Sequence, residues 1–516
     1  MHPSIRSDLL SHRDRVEPAL LFGEQRWTWP QYLAEAARRS RGLDQYWLAD
    51  RPRHVGVLAD NTPEMAFHLA AAGLGTHVLV GLNSTRRGEA LLADIRRADC
   101  RVIVVEERHR PLLAGLDLSG IVVLAAESTD WGADSTLPDA DPEPGDLFML
   151  VFTSGTSGHP KAVRVTHAKI TDPGRYVSTK LGIVPEDVLY SAMPLFHSNG
   201  VIANWALSVV NGCTVALAGR FSASGFIDDV RRYGASYANY VGKPLAYVLA
   251  TEPRADDADN PLRIVFGNEG GENLVRRFSE RFDVPVIDGF GSSENAVVVS
   301  RGAHTPAGAL GTPMPGVAIL DPATGKACPP ATYDDAGRVT NLDECVGEMV
   351  NTTGSGQFAG YYNDEAATAE RMRDGMYWSG DLAYADADGT YWFAGRTTDW
   401  LRVDGENLAA APIEAVLARH PDIVEVAVHA QPDDVGDILA AALVLREGSG
   451  LDPHAFGAFL AAQPDLSPVA WPRIVRILED LPRTATNKII KRSLGPDLHA
   501  LQTWLRDPRA RTYEGA

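Results

Sequence analysis

Strand-like and helix-like runs alternate through the first hundred residues, and this alternation restricts the fold more than any other feature of the sequence. Strands are predicted over residues 54–59, 78–82 and 102–105, with helices over 63–75 and 87–99 between them. Parallel strands need a long crossover connection, which is usually a helix, so the pattern is typical of βαβ units. The sequence therefore predicts an α/β fold with doubly wound parallel sheets.

Other regions of the chain are patterned differently. Residues 171–288 continue the α/β pattern and include the apolar block 201–215, which suits a buried helix followed by a strand. Residues 301–400 contain short β-like runs separated by Gly, Pro and Asp turns, which predicts a small antiparallel β subdomain. A hairpin followed by an amphipathic helix is predicted over residues 18–46.

The chain of 516 residues exceeds what one hydrophobic core usually supports. Beyond Arg396 a helix, two strands and a second helix are predicted over residues 411–419, 423–429, 439–445 and 453–462. We therefore expect a large N-terminal domain, residues 1–396, made of doubly wound α/β subdomains plus the small β subdomain. A smaller, mobile α+β C-terminal domain is expected over residues 397–516, with a hinge near 397–399.

The charge balance disfavours several kinds of partner. The sequence has 48 basic and 67 acidic residues, a formal net charge of -19, which argues against a general nucleic-acid or anionic-membrane surface. It shows neither the apolar run of a signal peptide nor a run of about 18 apolar residues. We expect a cytoplasmic protein without a transmembrane segment, and a homodimer stays an open alternative. Reduced thiols are expected for its widely spaced cysteines, Cys100, Cys213, Cys328 and Cys345.

Residues 150–163, LVFTSGTSGHPKAV, contain the strongest candidate for a ligand site. An apolar, strand-like start is followed by a dense run of hydroxyls and glycines and then by Lys161. Such a run can present backbone N–H groups to an anion while the lysine supplies positive charge. The spacing differs from that of a Walker loop, in which Gly, Lys and Ser or Thr follow one another directly. The stretch predicts a phosphate-binding loop, and a flexible surface turn is the competing interpretation.

Two weaker motifs offer carboxylates. GFGSSEN, residues 289–295, carries Glu294, a hard ligand suited to Mg²⁺. WSGDL, residues 378–382, places Asp381 at the edge of a predicted strand, where it could accept the hydroxyls of a ribose. Each motif taken alone is equally well explained as a turn with a solvated side chain.

Two further motifs lie near and beyond the predicted domain boundary. GRTTDWLRVDGENLAAAPIE, residues 395–414, resembles a hinge with a phosphate or ribose contact, and an inert linker is the alternative. PRTATNKIIKR, residues 482–492, carries Lys488, and a lysine in such a loop is usually only solvated.

In this order and at these separations, the five segments resemble the adenylate-forming superfamily of acyl-CoA synthetases, peptide-synthetase adenylation domains and luciferases. The resemblance spans about residues 19–492, and the joint pattern is far more specific than its parts. The segments FGNEGG and RVDGENLAAAPIE look most like the bacterial fatty-acid-transport-protein or very-long-chain acyl-CoA synthetase branch. Further family-like pieces are GVLADNTPEMAF, VGLNSTRRGEAL, MPLFHSNG and GEMVNTTGSGQFAGYYN.

The resemblance implies a site for ATP. Ser293 would stand beside the α-phosphate, and Glu294 with Thr153 would bind Mg²⁺. The β and γ phosphates would be held by Thr153, Ser154, Gly155, Thr156, Ser157, Gly158 and Lys161. The adenine slot would be formed by Gly267, Asn268, Glu269, Asp288, Gly289 and Phe290, and the ribose and phosphate would be contacted by Asp381 and Arg396.

The resemblance also implies a two-step reaction. ATP and a carboxylate would form an acyl-adenylate, and Lys488 would bridge the carboxylate and the α-phosphate. The thiol of coenzyme A would then attack the adenylate and release AMP. His197 would stand near the acyl pocket as a movable gate; a packed loop histidine is the alternative. The C-terminal domain would swing between the two steps and present to the pantetheine arm the residues Val403, Asp404, Gly405, Glu406 and Asn407.

Three positions depart from the family's pattern. Ala162 follows the loop lysine where Gly is usual, and it adds a Cβ close to the loop. Thr398 stands at the hinge position where Asp or Lys is common, and Asn487 stands before Lys488 where Gly is usual. The main expectation is an AMP-forming acyl-CoA ligase for a large hydrophobic acid, fatty or polycyclic, that uses ATP, Mg²⁺ and coenzyme A. The alternatives are a ligase that uses a preformed acyl-adenylate, an adenylation enzyme that serves a carrier protein, and a non-catalytic binding protein.

Overall fold

Contacts within the chain divide it into two compact units. Unit 1 comprises Met1–Ala296 and Ser355–Glu370, and unit 2 comprises Val297–Gly354 and Arg371–Ala516. The boundary predicted near 397–399 lies outside the described residues and stays a prediction. The computed structural model describes residues 3–153, 160–302, 304–335, 339–396, 400–403, 406–433, 436–463, 466, 468–483, 489–495, 498–506 and 512–516.

Helices and strands alternate through unit 1, which confirms the predicted N-terminal hairpin and helix and the βαβ pattern. The helices of its longer segment are α1 Ile5–Ser11, α2 Trp29–Leu43, α3 Pro63–Gly73, α4 Gly88–Arg97, α5 Ala168–Leu181, α6 Ser198–Gly200, α7 Ala206–Asn211, α8 Phe226–Tyr233, α9 Pro244–Leu249 and α10 Glu272–Phe282. The strands are β1 Pro18–Phe22, β2 Gln25–Thr28, β3 His54–Leu58, β4 Val78–Gly81, β5 Val102–Val105, β6 Val122–Ala125, β7 Leu147–Thr153, β8 Lys161–Thr166, β9 Val188–Ser191, β10 Thr214–Leu217, β11 Tyr237–Val241, β12 Ile264–Asn268 and β13 Val286–Gly289.

Two mainly parallel sheets form the framework of unit 1. The first sheet has the strand order β6-β5-β3-β4-β7-β8, and the second has the order β13-β12-β11-β9-β10-β1-β2. The pairs β7–β8 and β1–β2 are antiparallel. Every residue of β5 is buried, as expected for a parallel strand covered by helices on both faces. This arrangement brings the carboxyl ends of parallel strands to common edges, where open α/β sheets bind ligands.

Unit 2 confirms the small antiparallel β subdomain and the α+β pattern of the C-terminal region. One sheet has the order β16-β17-β19-β18, with β20 paired to β19, and another has the order β22-β21-β24-β25-β26-β27, with β23 paired to β24. The remaining strands are β14 Val299–Ser300, β15 Thr312–Pro313, β16 Val317–Leu320, β17 Gly347–Asn351, β18 Met372–Arg373, β19 Met376–Ala385, β20 Tyr391–Arg396, β21 Trp400–Val403, β22 Glu406–Ala409, β23 Ile423–Asp433, β24 Gly436–Leu445, β25 Ile474–Leu478, β26 Gln502–Arg506 and β27 Tyr513–Gly515. Its helices are α11 Leu342–Cys345, α13 Ala410–Leu417 and α14 Pro453–Ala461. Helix α12, Glu365–Arg371, begins in the segment Ser355–Glu370 that belongs to unit 1.

Two expectations drawn from composition can be compared with the structure. All four cysteines are outside disulfide bonds, as predicted. Among the helices that the structure describes, none is both long enough and apolar enough to cross a membrane.

Candidate active site

The predicted phosphate loop connects two paired strands of unit 1. Strand β7 ends at Thr153 and β8 begins at Lys161, and these two residues are register partners. The Thr153 hydroxyl donates to the Lys161 carbonyl at 3.5 Å. The loop's remaining predicted ligands lie outside the described residues, so their phosphate contacts stay predictions; they are Ser154, Gly155, Thr156, Ser157 and Gly158.

Ala162, which stands where the family usually has glycine, is accommodated by the core. Its side chain is completely buried in an apolar cluster that includes Leu150 and Phe152 of β7, and its carbonyl accepts the backbone N–H of Tyr362 at 2.8 Å. The additional methyl group therefore packs among apolar side chains.

Lys161 and Glu294 meet at one tyrosine. The Lys161 ammonium lies 5.1 Å from the centroid of the Tyr361 ring and 3.5 Å from the Glu370 carboxylate. The Tyr361 hydroxyl donates to Glu294 Oε1 at 2.8 Å. A β-bridge between Tyr361 and Val163 fixes the tyrosine beside the start of β8. The loop lysine and the predicted magnesium ligand are thus brought to a common place.

Sequence reasoning assigned no role to Tyr361. The residue lies in the segment Ser355–Glu370, with which the chain returns to unit 1, and 67 positions separate it from Glu294. Its segment, GEMVNTTGSGQFAGYYN, resembles the family, but no local pattern in it indicates which carboxylate the hydroxyl meets.

The Glu294 carboxylate fits a magnesium ion. In the described part of the chain Tyr361 is its one hydrogen-bond partner, and the side chain is half-buried. Mg²⁺ prefers oxygen ligands and usually keeps several waters, which a partly exposed carboxylate with an available oxygen allows. Thr153, the other predicted ligand, is also half-buried. An ion held here would supply positive charge opposite phosphate oxygens.

The predicted adenine slot lies where adjacent parallel strands end. Gly267 is the register partner of Asp288, and Asn268 is the register partner of Gly289. The Asp288 Oδ2 atom accepts the Gly270 N–H at 2.6 Å, and the Asn268 side-chain amide donates to the Gly289 carbonyl at 2.7 Å. The carboxyl ends of β12 and β13 are therefore fixed relative to each other.

The backbone around this slot is closely packed and locally strained. A Cβ on Gly267 would lie 2.3 Å from the Tyr240 carbonyl oxygen, so only glycine fits there. Glu269 has a φ of 63°, which a residue with a side chain adopts infrequently and mostly at functional positions. Phe290 is half-buried beyond β13.

Ser293 contacts the residue that follows the predicted gate residue, His197. The Ser293 hydroxyl lies 2.8 Å from the hydroxyl of Ser198, which directly follows His197. The His197 ring is half-buried and packs against Phe196, with centroids 4.5 Å apart and an interplanar angle of 52°. The roles of Ser293 and His197 toward the α-phosphate and the acyl group stay predictions.

In unit 2 the structure brings two other predicted ligands together. Asp381, which is 6% exposed, lies on β19 as the register partner of Arg396 on β20. Val403 pairs with Glu406, and Asn407 follows on β22. The predicted ligands Asp404, Gly405 and Lys488 lie outside the described residues.

Residues 11–362 match the family model described as AMP-binding enzyme, and residues 412–488 match the model described as AMP-binding enzyme C-terminal domain. The chain belongs to the AMP-binding enzymes. This confirms the predicted family and the predicted α/β fold class.

Curated relatives and solved structures agree with this membership. The medium/long-chain-fatty-acid–CoA ligase FadD17 of Mycobacterium marinum is 48% identical over 96% of this chain and 96% of that protein. The steroid-22-oyl-CoA synthetase of Rhodococcus jostii is 44% identical over 91% of this chain and 87% of that protein. ATP-bound MatB from Rhodopseudomonas palustris shares the fold, with a TM-score of 0.85 at 22% identity, over 96% of this chain and 98% of that chain. This AMP-binding enzyme is an acid–thiol ligase of the AMP-forming type.

A group of acidic and histidine side chains elsewhere in the AMP-binding enzyme is better explained by ion pairs than by a metal. Asp60, Glu106 and His109 are buried, with ligand atoms within 4.8 Å of one another. However, Asp60 Oδ2 already contacts Arg108 at 2.5 Å and Arg220 at 2.8 Å. Because two guanidinium groups balance this carboxylate, the cluster is electrostatically satisfied.

The AMP-binding enzyme also buries a lysine that sequence reasoning overlooked. Lys169, at the start of α5, is 1% exposed, and its ammonium has no hydrogen-bond partner among the described residues. Burial lowers the pKa of Lys169 to about 8, although the Glu294 carboxylate partly raises it. No pattern in the sequence indicates this burial, because a single lysine in a polar helix start usually faces solvent.

We expect Lys169→Met to stabilise the AMP-binding enzyme at neutral pH. The unfolded chain holds the proton of this lysine up to a pKa near 10.5, whereas the folded chain releases it near 8. The unfolded state therefore binds more protons between these values, and the stability of the unsubstituted protein rises with pH across that window. Below pH 8 the substitution should raise the free energy of unfolding by about 3 kcal/mol.

Urea unfolding between pH 7 and 10.5 measures this effect. Lys180→Met is the matched control, because Lys180 is exposed on the same helix, and it should change stability by less than about 0.5 kcal/mol. A Lys169→Met variant that is less stable than this control at pH 7 would contradict the interpretation.

Proposed function

We propose that this enzyme makes the CoA thioester of a large hydrophobic carboxylic acid through an acyl-adenylate, with release of AMP. The observation that carries the proposal is that Lys161 and Glu294 both contact Tyr361. The phosphates of ATP need a cation and a metal ligand close together, because the cation and the bound metal ion both neutralise their negative charge. A cytoplasmic location is part of the proposal, because the reaction consumes ATP and CoA.

The residues of unit 1 would take distinct roles toward ATP. Lys161 would place its charge at the β and γ phosphates together with the N–H groups of the loop. Ser293 would bind the α-phosphate, and Glu294 would hold Mg²⁺, which lowers the repulsion between the phosphates and the incoming carboxylate. Asn268 and Asp288 would border the adenine at the ends of β12 and β13.

The residues of unit 2 would complete the reaction. Asp381 would accept the ribose hydroxyls, and Arg396 would contact a phosphate. Lys488 would bridge the carboxylate and the α-phosphate in the first step, which makes use of proximity and charge neutralisation. The hairpin of β21 and β22, with Gly405 between them, would receive the pantetheine arm of CoA in the second step.

The size and apolar character of the acid are supported by the relatives. The two curated proteins described above act on medium or long-chain fatty acids and on a steroid-22-oyl group, according to their names. The acyl group would lie between residues 190–240 and the strand ends near 267–291, because apolar pockets in such folds form where strands end. Fatty acids and acids with a steroid ring system are therefore the substrates to test.

Mass spectrometry of CoA thioesters tests the proposal. Dodecanoate, hexadecanoate, a steroid C22 acid and benzoate are each incubated with CoA and Mg²⁺, with and without ATP. We expect ATP-dependent thioesters and AMP from one or more of the first three acids and little from benzoate. Thioesters formed only from a supplied acyl-adenylate would instead indicate an enzyme of the second step. If no acid yields AMP or thioester under any condition, the proposal fails.

A further inference from the structure

Four asparagine side chains form a continuous hydrogen-bonded chain across the strand ends of the second sheet of unit 1. The Asn204 amide donates to the Asn239 side-chain oxygen at 2.9 Å, and the Asn239 amide donates to that of Asn199 at 2.8 Å. The Asn199 amide then donates to the Asn268 side-chain oxygen at 3.4 Å, and the Asn268 amide donates to the Gly289 backbone carbonyl at 2.7 Å. All four bonds run in the same direction. The four side chains are called the asparagine chain below.

The asparagine chain joins two parts of the proposed site. Asn199 belongs to α6, and Asn204 belongs to the π-helical turn Val201–Trp205 that follows it. Asn239 lies on β11 and Asn268 on β12. One end therefore lies in the helical segment proposed to border the acyl group, and the other lies on the strand end proposed to hold the adenine.

Burial and backbone contacts make the asparagine chain rigid. Asn204 is 0% exposed and Asn239 is 5% exposed, while the other two members are half-buried. Asn204 also donates to the Tyr190 carbonyl at 3.0 Å, and Asn199 also donates to the Tyr240 carbonyl at 3.1 Å. A buried amide that loses its partner costs about 1–3 kcal/mol, and amides aligned in one direction polarise each other. Displacement of one member is thus resisted by its neighbours.

We propose that the asparagine chain makes the binding of nucleotide and acid cooperative. Adenine against the strand end fixes Asn268, and the aligned amides then fix Asn199 and the helical segment that borders the acid. Packing alone gives no reason for amides at these places, because apolar side chains would fill the interior without polar groups to satisfy. The inference rests on the proposed function, which assigns the two ends to the two substrates.

Equilibrium binding of AMP and dodecanoate tests the proposal, because AMP has no pyrophosphate to release and therefore does not react with the carboxylate. Calorimetry gives the Kd of dodecanoate with and without saturating AMP. In the unsubstituted enzyme saturating AMP should lower the Kd of dodecanoate about tenfold. Dodecanoate should lower the Kd of AMP by the same factor, called the coupling factor below, as linkage requires.

Two substitutions interrupt the asparagine chain at members to which the proposed function assigns no contact with the nucleotide. Asn239→Asp keeps the acceptor but removes the donor to Asn199, and Asn199→Ala removes the half-buried link between Asn239 and Asn268. Each should bring the coupling factor close to one, with the Kd of AMP alone changed by less than about threefold. Asn211→Ala is the matched control, because among the described residues the amide of Asn211 donates to Ser178 on α5 and to Leu207, and not to a member of the asparagine chain. It should keep the full factor.

The outcomes separate this inference from the proposed function. Coupling that survives in both interrupted variants, or an unsubstituted enzyme that binds AMP and dodecanoate independently, overturns the inference alone. Coupling lost equally in the Asn211→Ala control also overturns it, because a general loosening of the helical segment would then suffice. An unsubstituted enzyme that binds no AMP overturns both the proposed function and the inference.

Discussion

Lys488→Ala is expected to lower ATP–pyrophosphate exchange by about 10²–10³-fold, because one preorganised cation opposite developing negative charge contributes on that scale. Transfer of the acyl group from a supplied acyl-adenylate to CoA should largely persist, since that step does not bring a carboxylate against a phosphate. Exchange of labelled pyrophosphate into ATP and thioester formation from synthetic dodecanoyl-adenylate measure the two steps separately.

A nearby lysine provides the control for this experiment. Lys491 lies three residues further on, and its ammonium pairs with the Glu414 carboxylate at 2.8 Å. Lys491→Ala therefore removes a cation from the same segment without removing the proposed bridge, and it should retain most of the exchange. Equal losses in Lys488→Ala and Lys491→Ala would show that the positive charge of the segment matters in general, and the specific role of Lys488 would be rejected.

Glu294→Gln is expected to reduce adenylation by about a hundredfold and to raise the Mg²⁺ concentration needed for half-maximal exchange, because an amide is a weaker ligand than a carboxylate for a hard cation. Glutamine keeps the side-chain length and an oxygen that can accept the Tyr361 hydroxyl, so the local fold should survive. A Mg²⁺ titration of pyrophosphate exchange at fixed ATP measures both quantities.

Two companion variants show whether the effect of Glu294→Gln arises from metal binding. Tyr361→Phe removes the hydroxyl that donates a hydrogen bond to Glu294 but keeps the ring near Lys161. It should lower the rate of adenylation about tenfold. Glu280→Gln alters an exposed carboxylate that pairs with Arg276 on α10. It should leave the rate of adenylation unchanged. If Glu294→Gln reduces activity while its Mg²⁺ requirement stays unchanged, the carboxylate does not bind the metal.

Periodic patterns predicted the framework well for a physical reason. A strand covered on both faces, such as Val102–Val105, needs a continuous apolar run, and a helix such as α4 needs apolar side chains at intervals of three and four. Both demands are local in sequence. For the same reason the short motifs around Lys161 and Glu294 can be identified from the sequence alone.

Contacts between distant positions were not predictable in this way. Tyr361 reaches Glu294, and Lys169 is buried near that same carboxylate, without any local pattern to indicate it. The asparagine chain likewise joins residues from a helix, a π-helical turn and two strands, and its alignment appears only once the strands are side by side. The sequence predicted a role for Asn268 alone, in the adenine slot. Scattered asparagines usually indicate turns, so no role was predicted for Asn199, Asn204 or Asn239.

The return of the chain to unit 1 over Ser355–Glu370 affects how the enzyme can be dissected. A polypeptide that stops at Ala296 lacks the Tyr361 hydroxyl that meets Glu294, and it also lacks the Asp364 carboxylate that pairs with Arg97 at 3.1 Å. No single cleavage separates a complete unit 1 from the remainder. A split form of this enzyme would need the returning peptide supplied in trans, and recovery of nucleotide binding on its addition would report that the missing stretch had docked.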